Sequence, residues 1–292
     1  MTEQEKAQLA ALDESYRAVS LRSSDAAPSV VYHYTSAGGL LGIVGDGMVR
    51  ASNFEYLNDT TEIHHGRERA NNVIGRQLVK DLPRSHRQVL TSVQRALSDV
   101  GRGREFYLAC FCEKGDLLSQ WRGYGSARDR FSIGFEMETS TEGLSHRFNR
   151  VLYRREDQES RVRSAVGEAL GAIKHEKPSR AFVAGVSDLL AEKLIAELVF
   201  FKDWSFRDER EWRAVYAAAG GHRVRFDVSA GFVRPFVNLW KGSKDTQGRR
   251  RLPITTVITF TKQAVRSVEL LLEEHGYRNV TVRSSNVPYR NV

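Results

Sequence analysis

Val31-Tyr32-His33-Tyr34-Thr35-Ser36, followed by Gly38-Gly39-Leu40-Leu41-Gly42-Ile43-Val44 and then Gly47-Met48-Val49-Arg50-Ala51-Ser52, is the stretch on which the fold turns. It reads as a short strand ending in polar residues, a brief helix, and a second strand after a glycine turn. That layout sets the imidazole of His33 beside hydroxyls at the mouth of a strand, where a ligand can reach it. Thr35, Ser36 and the Gly38-Gly39 pair form a tight polar turn that lets backbone come close to a bound group. A histidine between two tyrosines also suits a purely structural role, and both readings stand at this point.

Outward from that stretch, the apolar spacing of Leu9, Leu12, Tyr16 and Val19 predicts an N-terminal helix over 3–19, and 23–28 reads as a linker. Asn58 or Asp59 is placed to cap a helix with Glu62 in its first turn, and helical patterns fill about 60–80 and 85–100, broken at Pro83. From Phe106 the chain turns β-like. Strands are expected at 106–111, 131–135, 147–153, 211–217, 222–228, 254–260 and 279–283, with a helix at 262–275 stopped by Gly276. The stretch 157–203 is helical between β segments and reads as a helical insertion, with Pro178 separating two helices. The class is α+β, a strongly bent mixed sheet decorated by helices. Residues 1–27 are read as helix and linker, and 28–292 as one domain carrying the insertion.

Composition narrows the function. The 292 residues are 41% hydrophobic and 27% charged, as in ordinary globular proteins. No run nears the roughly 18 apolar residues of a membrane span, and the polar N-terminus lacks a signal-peptide core, so no membrane partner and a cytoplasmic location are expected. Cys110 and Cys112 are the two cysteines, too few for a disulfide framework or a thiolate zinc site, and no metal is expected. The formal charge of +8 is carried mainly by arginine, which suits a nucleic-acid or other acidic partner as well as a solvated surface. Arg154-Arg155 and Arg249-Arg250-Arg251 are its densest points.

Several constellations could carry chemistry. Glu209 and Glu211 stand two apart before an apolar run, Trp212 to Tyr216, and share a face if the strand begins early. Ser119 and Arg122 share a helix face, and Trp121, Arg122 and Tyr124 together offer stacking and a guanidinium fork. Trp121 and Tyr124 would equally serve as core, and Glu211 would equally pair with an arginine. His64-His65 lacks metal-site spacing, and no dinucleotide-fingerprint, phosphate-loop or nucleophile-elbow motif occurs.

Five blocks in order, YHYTS, EYLNDTTE, FCEKGDLLSQWRGYG, FKDWSFRDEREWR and SSNVPYR, resemble the bacterial domain-of-unknown-function family 2971 from about Tyr32 to Arg290. The opening block and the Glu211 block also resemble the ADP-ribosyltransferase fold of the His-Tyr-Glu class. That resemblance implies NAD as substrate without a metal. By it His33 holds a ribose of NAD, with Tyr34, Thr35 and Ser36 beside it. Tyr56 stacks on the nicotinamide, although the glycine-rich lead-in of some members is missing. Glu211 stabilises the oxocarbenium-like transition state through the 2′-hydroxyl. Arg122 and Tyr124 complete the NAD contacts, and Asn58, Asp59, Ser119, Trp121, Glu209, Arg213 and Arg290 are the substrate-side candidates. The expectation is a NAD-dependent ADP-ribosyltransferase, a toxin or phage-defence effector acting on nucleic acid or protein and open to an antitoxin or regulatory partner. The rival is a non-catalytic nucleotide- or nucleic-acid-binding module on the same fold.

Overall fold

The computed structural model describes residues 1–21, 28–56, 61–99, 106–123, 129–137, 147–217, 223–229 and 232–288. In chain order the elements begin α1 (Glu3–Leu21), β1 (Val30–Thr35), α2 (Ala37–Asp46), β2 (Met48–Asn53), α3 (Thr61–Leu78), α4 (Arg84–Ser98) and β3 (Phe106–Cys112). Next come α5 (Leu118–Gly123), β4 (Phe131–Glu136), β5 (Arg147–Arg150), α6 (Arg155–Ala172), α7 (Arg180–Leu198) and β6 (Glu211–Ala217). The chain closes with β7 (Arg225–Ser229), β8 (Phe232–Lys241), β9 (Ser243–Lys244), β10 (Arg250–Arg251), β11 (Ile254–Thr259), α8 (Ala264–Glu274) and β12 (Thr281–Ser284). Helix and strand types follow the sequence periodicities closely. The exceptions are β8, which the pattern did not announce because Pro235 and Asn238 interrupt its apolar run, and β9 and β10, which at two residues each are too short to show a pattern.

Two compact units result. One comprises Met1–Ser24, Leu57–Glu105 and Val151–Phe206, the other Asp25–Tyr56, Phe106–Arg150 and Arg207–Val292. The first is helical. In place of a lone insertion at 157–203, α6 and α7 share a core with α1, α3 and α4, since the apolar stripe Val89, Leu90, Val93 and Leu97 of α4 needs the Phe182, Val186 and Leu190 face of α7 to leave water. Its helix starts are chemically explicit. Thr2 Oγ1 accepts the Glu5 N–H at 3.1 Å while Glu5 Oε2 accepts the Thr2 N–H at 2.8 Å, a reciprocal cap. Glu5 Oε1 also accepts the Ser179 N–H at 2.7 Å, and Ser179 in turn caps α7 by accepting the Phe182 N–H at 3.2 Å.

The second unit is the mixed sheet, ordered β12-β11-β4-β1-β3-β2-β8-β7, with β6 on β3 and β5 on β6. Pairing is antiparallel except for β11 with β12, so the sheet is mixed by one parallel pair. The strand β3 organises it. Along one edge β6 pairs with every residue from Phe106 to Cys112. Along the other edge β2 reaches Tyr107 and Leu108, and β1 reaches Cys112. The two strands therefore part company along β3, and the sheet forks near Cys110.

Helix α2 bridges β1 and β2. Ser36 caps its start by accepting the Gly39 N–H at 3.2 Å, and it ends where Gly47, at φ 60°, donates its N–H to Ile43 O. A side chain at Gly47 would be strained at that φ and would also run into the Arg250 carbonyl. One sheet face carries the main core, with Val31, Phe111, Ile133, Phe135, Trp212 and Trp240 packed beneath Leu40 and Ile43 of α2 and Val268 and Leu272 of α8. The opposite face holds a smaller cluster of Tyr34, Cys112, Trp121 and Ile258.

Candidate functional site

Antiparallel register decides which side chains can meet, because residues directly opposite point to the same side of a sheet. Tyr32 lies opposite Cys112, and Cys112 lies opposite Glu211. Glu211 therefore shares its face with Tyr32, Cys110, Cys112 and Arg213. His33, one residue on, belongs to the other face, where its ring meets Phe111 with centroids 5.7 Å apart. The sequence pattern made His33 and Glu211 partners around one ribose. The register sets them on opposite faces of the sheet.

Tyr56 joins neither. It closes a 3₁₀ turn (Phe54–Tyr56) that continues β2 past Asn53, whose partner is Tyr107, and its side chain is exposed. His33 and Glu211 both lie at the Cys112 end of β3, and five residues of strand separate Tyr107 from Cys112, about 17 Å. A nicotinamide riboside is only about 7 Å long by covalent geometry, so the three residues do not line one nicotinamide pocket.

Each predicted residue then finds a physical role. His33 Nδ1 lies 2.8 Å from the carbonyl of Cys110, the position where β1 and β2 diverge. A carbonyl only accepts, so Nδ1 carries the proton and Nε2 keeps its lone pair. Burial holds the imidazole below its ordinary pKa despite that hydrogen bond, so His33 is neutral at pH 7. Tyr34 is buried and saturated. Its hydroxyl donates to Lys114 O and accepts the Leu117 N–H, both at 2.9 Å, and burial pushes its pKa upward. Thr35 packs its side chain against Gly39, and Ser36 serves as the α2 cap. The Ala37 N–H at the same helix start is taken by Asp129 Oδ1, so a carboxylate of the chain sits where an anionic ligand group would.

Glu211 and Arg213 form a buried pair. Arg213 Nε donates to Glu211 Oε1 at 2.7 Å and its terminal nitrogen to Oε2 at 2.9 Å, with side chains 2% and 6% exposed. This is a two-pronged fork in which both carboxylate oxygens receive a donor. Arg213 thereby leaves the substrate-contact set, its guanidinium being turned inward. Trp121 leaves it also. It is fully buried, edge-on to Tyr34 at 4.9 Å, with its indole N–H given to Asp116 Oδ1 at 2.7 Å. Ser119 and Arg122 stay exposed on α5, as their helix face predicts. Glu209 ends a 3₁₀ turn (Trp204–Glu209) and accepts the Cys112 thiol at 3.0 Å through its backbone carbonyl. Burial raises that thiol to about 12, so Cys112 is no thiolate nucleophile. Asn58, Asp59, Tyr124 and Arg290 lie outside the described residues.

Two acids that sequence reasoning passed over prove informative. Asp116, in the loop between β3 and α5, ties that loop to the C-terminal segment. It accepts Trp121 Nε1, the Ser285 hydroxyl at 2.5 Å and the Asn286 N–H at 2.9 Å, with Arg283 at 3.3 Å. Burial acts to raise its pKa, but the bonds from Ser285, Asn286, Trp121 and Arg283 outweigh it and hold the carboxyl below its usual range. The blocks FCEKGDLLSQWRGYG and SSNVPYR are thus two halves of one hydrogen-bonded knot.

Glu113 is the second. Its N–H bonds Arg210 O at 3.2 Å and so continues the β3–β6 ladder past Cys112, which puts its side chain on the face of Phe111 and His33. There it accepts Trp212 Nε1 at 3.1 Å and pairs with Arg150 Nε at 3.4 Å, the two side chains 23% and 45% exposed. Phe148 stacks on Trp212 at 5.3 Å and meets Phe111 at 5.7 Å. Across β1, β3, β6 and β5 a neutral imidazole and a partly exposed carboxylate–arginine pair share the face that carries the main core, with Phe111 and Trp212 buried between them. His33 and Glu113 stand in diagonal register, about 7–8 Å apart at Cα. The adjacency of Glu113 to the Phe-Cys strand end was visible in sequence, but which acid shares a face with His33 depends on strand register.

The arginine runs are committed within the chain. Arg249 and Arg251 both pair with Asp245, at 3.3 and 2.8 Å, and Arg251 also donates to Gly276 O while Arg250 donates to Gly242 O. Within the helical unit Arg155 joins Arg76 and Arg163 around Glu159, whose pKa the Arg155 bond and its neighbours draw down to about 2. No described helix is long and apolar enough to cross a membrane, and no group of three or more metal-ligating side chains gathers among the described residues.

A family model described as a protein of unknown function, DUF2971, matches residues 120–214 of the 292. The matched stretch runs from the buried Trp121 to the Glu211–Arg213 pair. No curated protein and no solved structure matches the chain.

Proposed function

We propose that the protein is a NAD-dependent ADP-ribosyltransferase whose nicotinamide-ribose site lies on the His33 face, with Glu113 rather than Glu211 as its acid. One observation carries this reading. His33, neutral and oriented by Cys110 O, shares a sheet face and strand end with a partly exposed carboxylate at the span of a nicotinamide riboside. The sequence blocks that resemble the transferase fold support the activity; the resemblance itself put the acid at Glu211, and Glu113 is chosen on register.

The roles follow from chemistry. The lone pair of His33 Nε2 accepts a ribose hydroxyl. As the nicotinamide–ribose bond lengthens, positive charge grows on the ribose, and the Glu113 carboxylate stabilises it through the 2′-hydroxyl. Trp212 and Arg150 hold the carboxylate in place, so it need not reorganise. The freed C1′ then takes a nucleophile from the acceptor, a nucleic acid or a protein, and nicotinamide leaves with the bonding pair. The experiment is nicotinamide release and label transfer from NAD labelled in its adenylate half. Glu113→Gln should abolish both, and wild-type rates in that variant would refute the assignment.

A specific observation favours a second reading, a nucleotide-binding module without turnover. Glu113 already receives two donors, Trp212 and Arg150, and a carboxylate so engaged suits structure as well as chemistry. NAD binding by calorimetry without nicotinamide release would decide for it.

A further inference from the structure

The sheet ends at β7, and among the described residues no strand pairs with its outer edge. Natural edge strands are usually blunted by charge, proline or cover. This one is not. Phe226, Val228 and Val233 are 67%, 73% and 61% exposed, and pairing of Phe226 with Pro235 and of Val228 with Val233 puts them on one face of the β7–β8 ribbon. The other face carries Arg225, Asp227 and Arg234. The β7 strand is thus apolar on one side and charged on the other, with Phe226, Val228, Arg225 and Asp227 all exposed.

Backbone polarity shows which groups are available. The Val228 N–H is accepted by the side chain of the preceding Asp227 at 2.7 Å, which fits a strand whose even-numbered residues turn their backbone groups outward. Pro235, opposite Phe226, agrees, because it has no N–H to offer at that position. The outer edge therefore presents the amide and carbonyl of Phe226 and the carbonyl of Val228, whose own amide is held by Asp227.

We infer that β7 is a homodimerisation edge, pairing antiparallel with β7 of a second copy about a two-fold axis through Phe226. The occupant is argued from charge. Self-pairing that keeps the apolar side continuous puts a residue of β7 on the axis; an axis at Arg225 sets two like guanidinium groups face to face, and one at Val228 brings no opposite charges together. An axis at Asp227 sets two like carboxylates face to face, which is destabilising. An axis at Phe226 sets Arg225 opposite Asp227 of the second copy, twice. On the apolar side it sets Phe226 opposite Phe226. The strand is self-complementary in that register, as an isologous interface must be. Arg50, which bonds Asp227 at 2.7 Å in its own chain, adds a second cation on the charged side. A ribbon of this length buries little area, so the dimer is weak and concentration-dependent.

Sedimentation equilibrium of the full chain over a range of concentrations tests this directly. The wild type should be dimeric at high concentration. Arg225→Asp alone and Asp227→Arg alone should each be monomeric, since each places like charges opposite one another. An equimolar mixture of the two variants should dimerise again, because opposite charges then meet at both positions. These positions are exposed, and restored association in the mixture shows that both variants are folded. A wild type that stays monomeric would overturn the inference, and so would a dimer that either single variant leaves intact or a mixture that fails to associate. None of these outcomes bears on nicotinamide release.

Discussion

The two faces of β3 and β6 solve the same problem, placing a glutamate beside an arginine, in opposite ways. On one face Glu211 and Arg213 are neighbours on a single strand, both buried, joined by two bonds that use both carboxylate oxygens. On the other, Glu113 and Arg150 come from different strands, both reach solvent, and the contact is longer at 3.4 Å. The first arrangement sacrifices access for fixity. Desolvating both charges is costly, and only a complete fork offsets it. The second leaves a carboxylate that a ligand can approach, at the cost of screening by water. A glutamate at the start of an apolar strand is thus no guide to chemistry until its face is known.

Perturbing the buried pair should give the largest effect. Arg213→Leu leaves the Glu211 carboxylate without its fork, and a loss of about 3–5 kcal/mol is expected from urea unfolding. Adding Glu211→Leu should recover part of that loss, because the stranded charge goes with it. A stability change near zero for Arg213→Leu would erase the contrast between the faces.

On the open face the effect should be kinetic. Glu113→Gln is expected to change stability by less than about 1 kcal/mol while nicotinamide release falls by at least about 100-fold. Glu211→Gln should show the reverse, a lower unfolding midpoint with residual release in the protein that remains folded.

Titration separates the two polar sites by pH window. The folded-state pKa of His33 lies below the ordinary 6.5, so on acidification the unfolded chain takes up a proton that the folded one refuses. Its contribution to stability is whole above 6.5 and declines from there toward its folded pKa. Asp116 lies below the ordinary 3.8, and its contribution is whole above that value and lost as pH falls through its folded pKa. Unfolding midpoints across pH 7 to about 2 should show His33→Gln removing the upper slope and Asp116→Asn the lower one. If each variant merely shifts the whole curve down, these groups are not the titrating ones.

The smallest effect is expected at Arg210, the residue whose φ of 48° turns the chain from the 3₁₀ turn into β6. A left-handed conformation costs a non-glycine residue roughly 1 kcal/mol, so Arg210→Gly should raise stability by up to about that amount in denaturant unfolding. A clear loss would mean that the Arg210 side chain, not its backbone, holds the turn that sends Glu113 and Glu211 to different faces.

Local pattern carried much of the fold. The run from Phe106 to Cys112, the alternation at 131–136, the helix stop at Gly276 and the break at Pro178 are all written in neighbouring residues, because helix and strand periodicity are local properties. So is the shared helix face of Ser119 and Arg122, whereas Ser36, read as a ligand contact, serves as the α2 cap. Strand β8 escaped notice for a local reason too, its proline and asparagine, and is held by β2 and β7 on either side. What pattern could not carry is register. Shifting a strand by one residue exchanges its two faces, and that choice rests on partners far away in sequence. Thus Tyr32 opposite Cys112, and Cys112 opposite Glu211, put His33 with Glu113 and leave Glu211 to Arg213. The sequence by itself determined which segments are strands and helices and which residues are chemically capable. Only the tertiary structure decided which of those residues meet, because facing is a property of paired strands and not of any one of them.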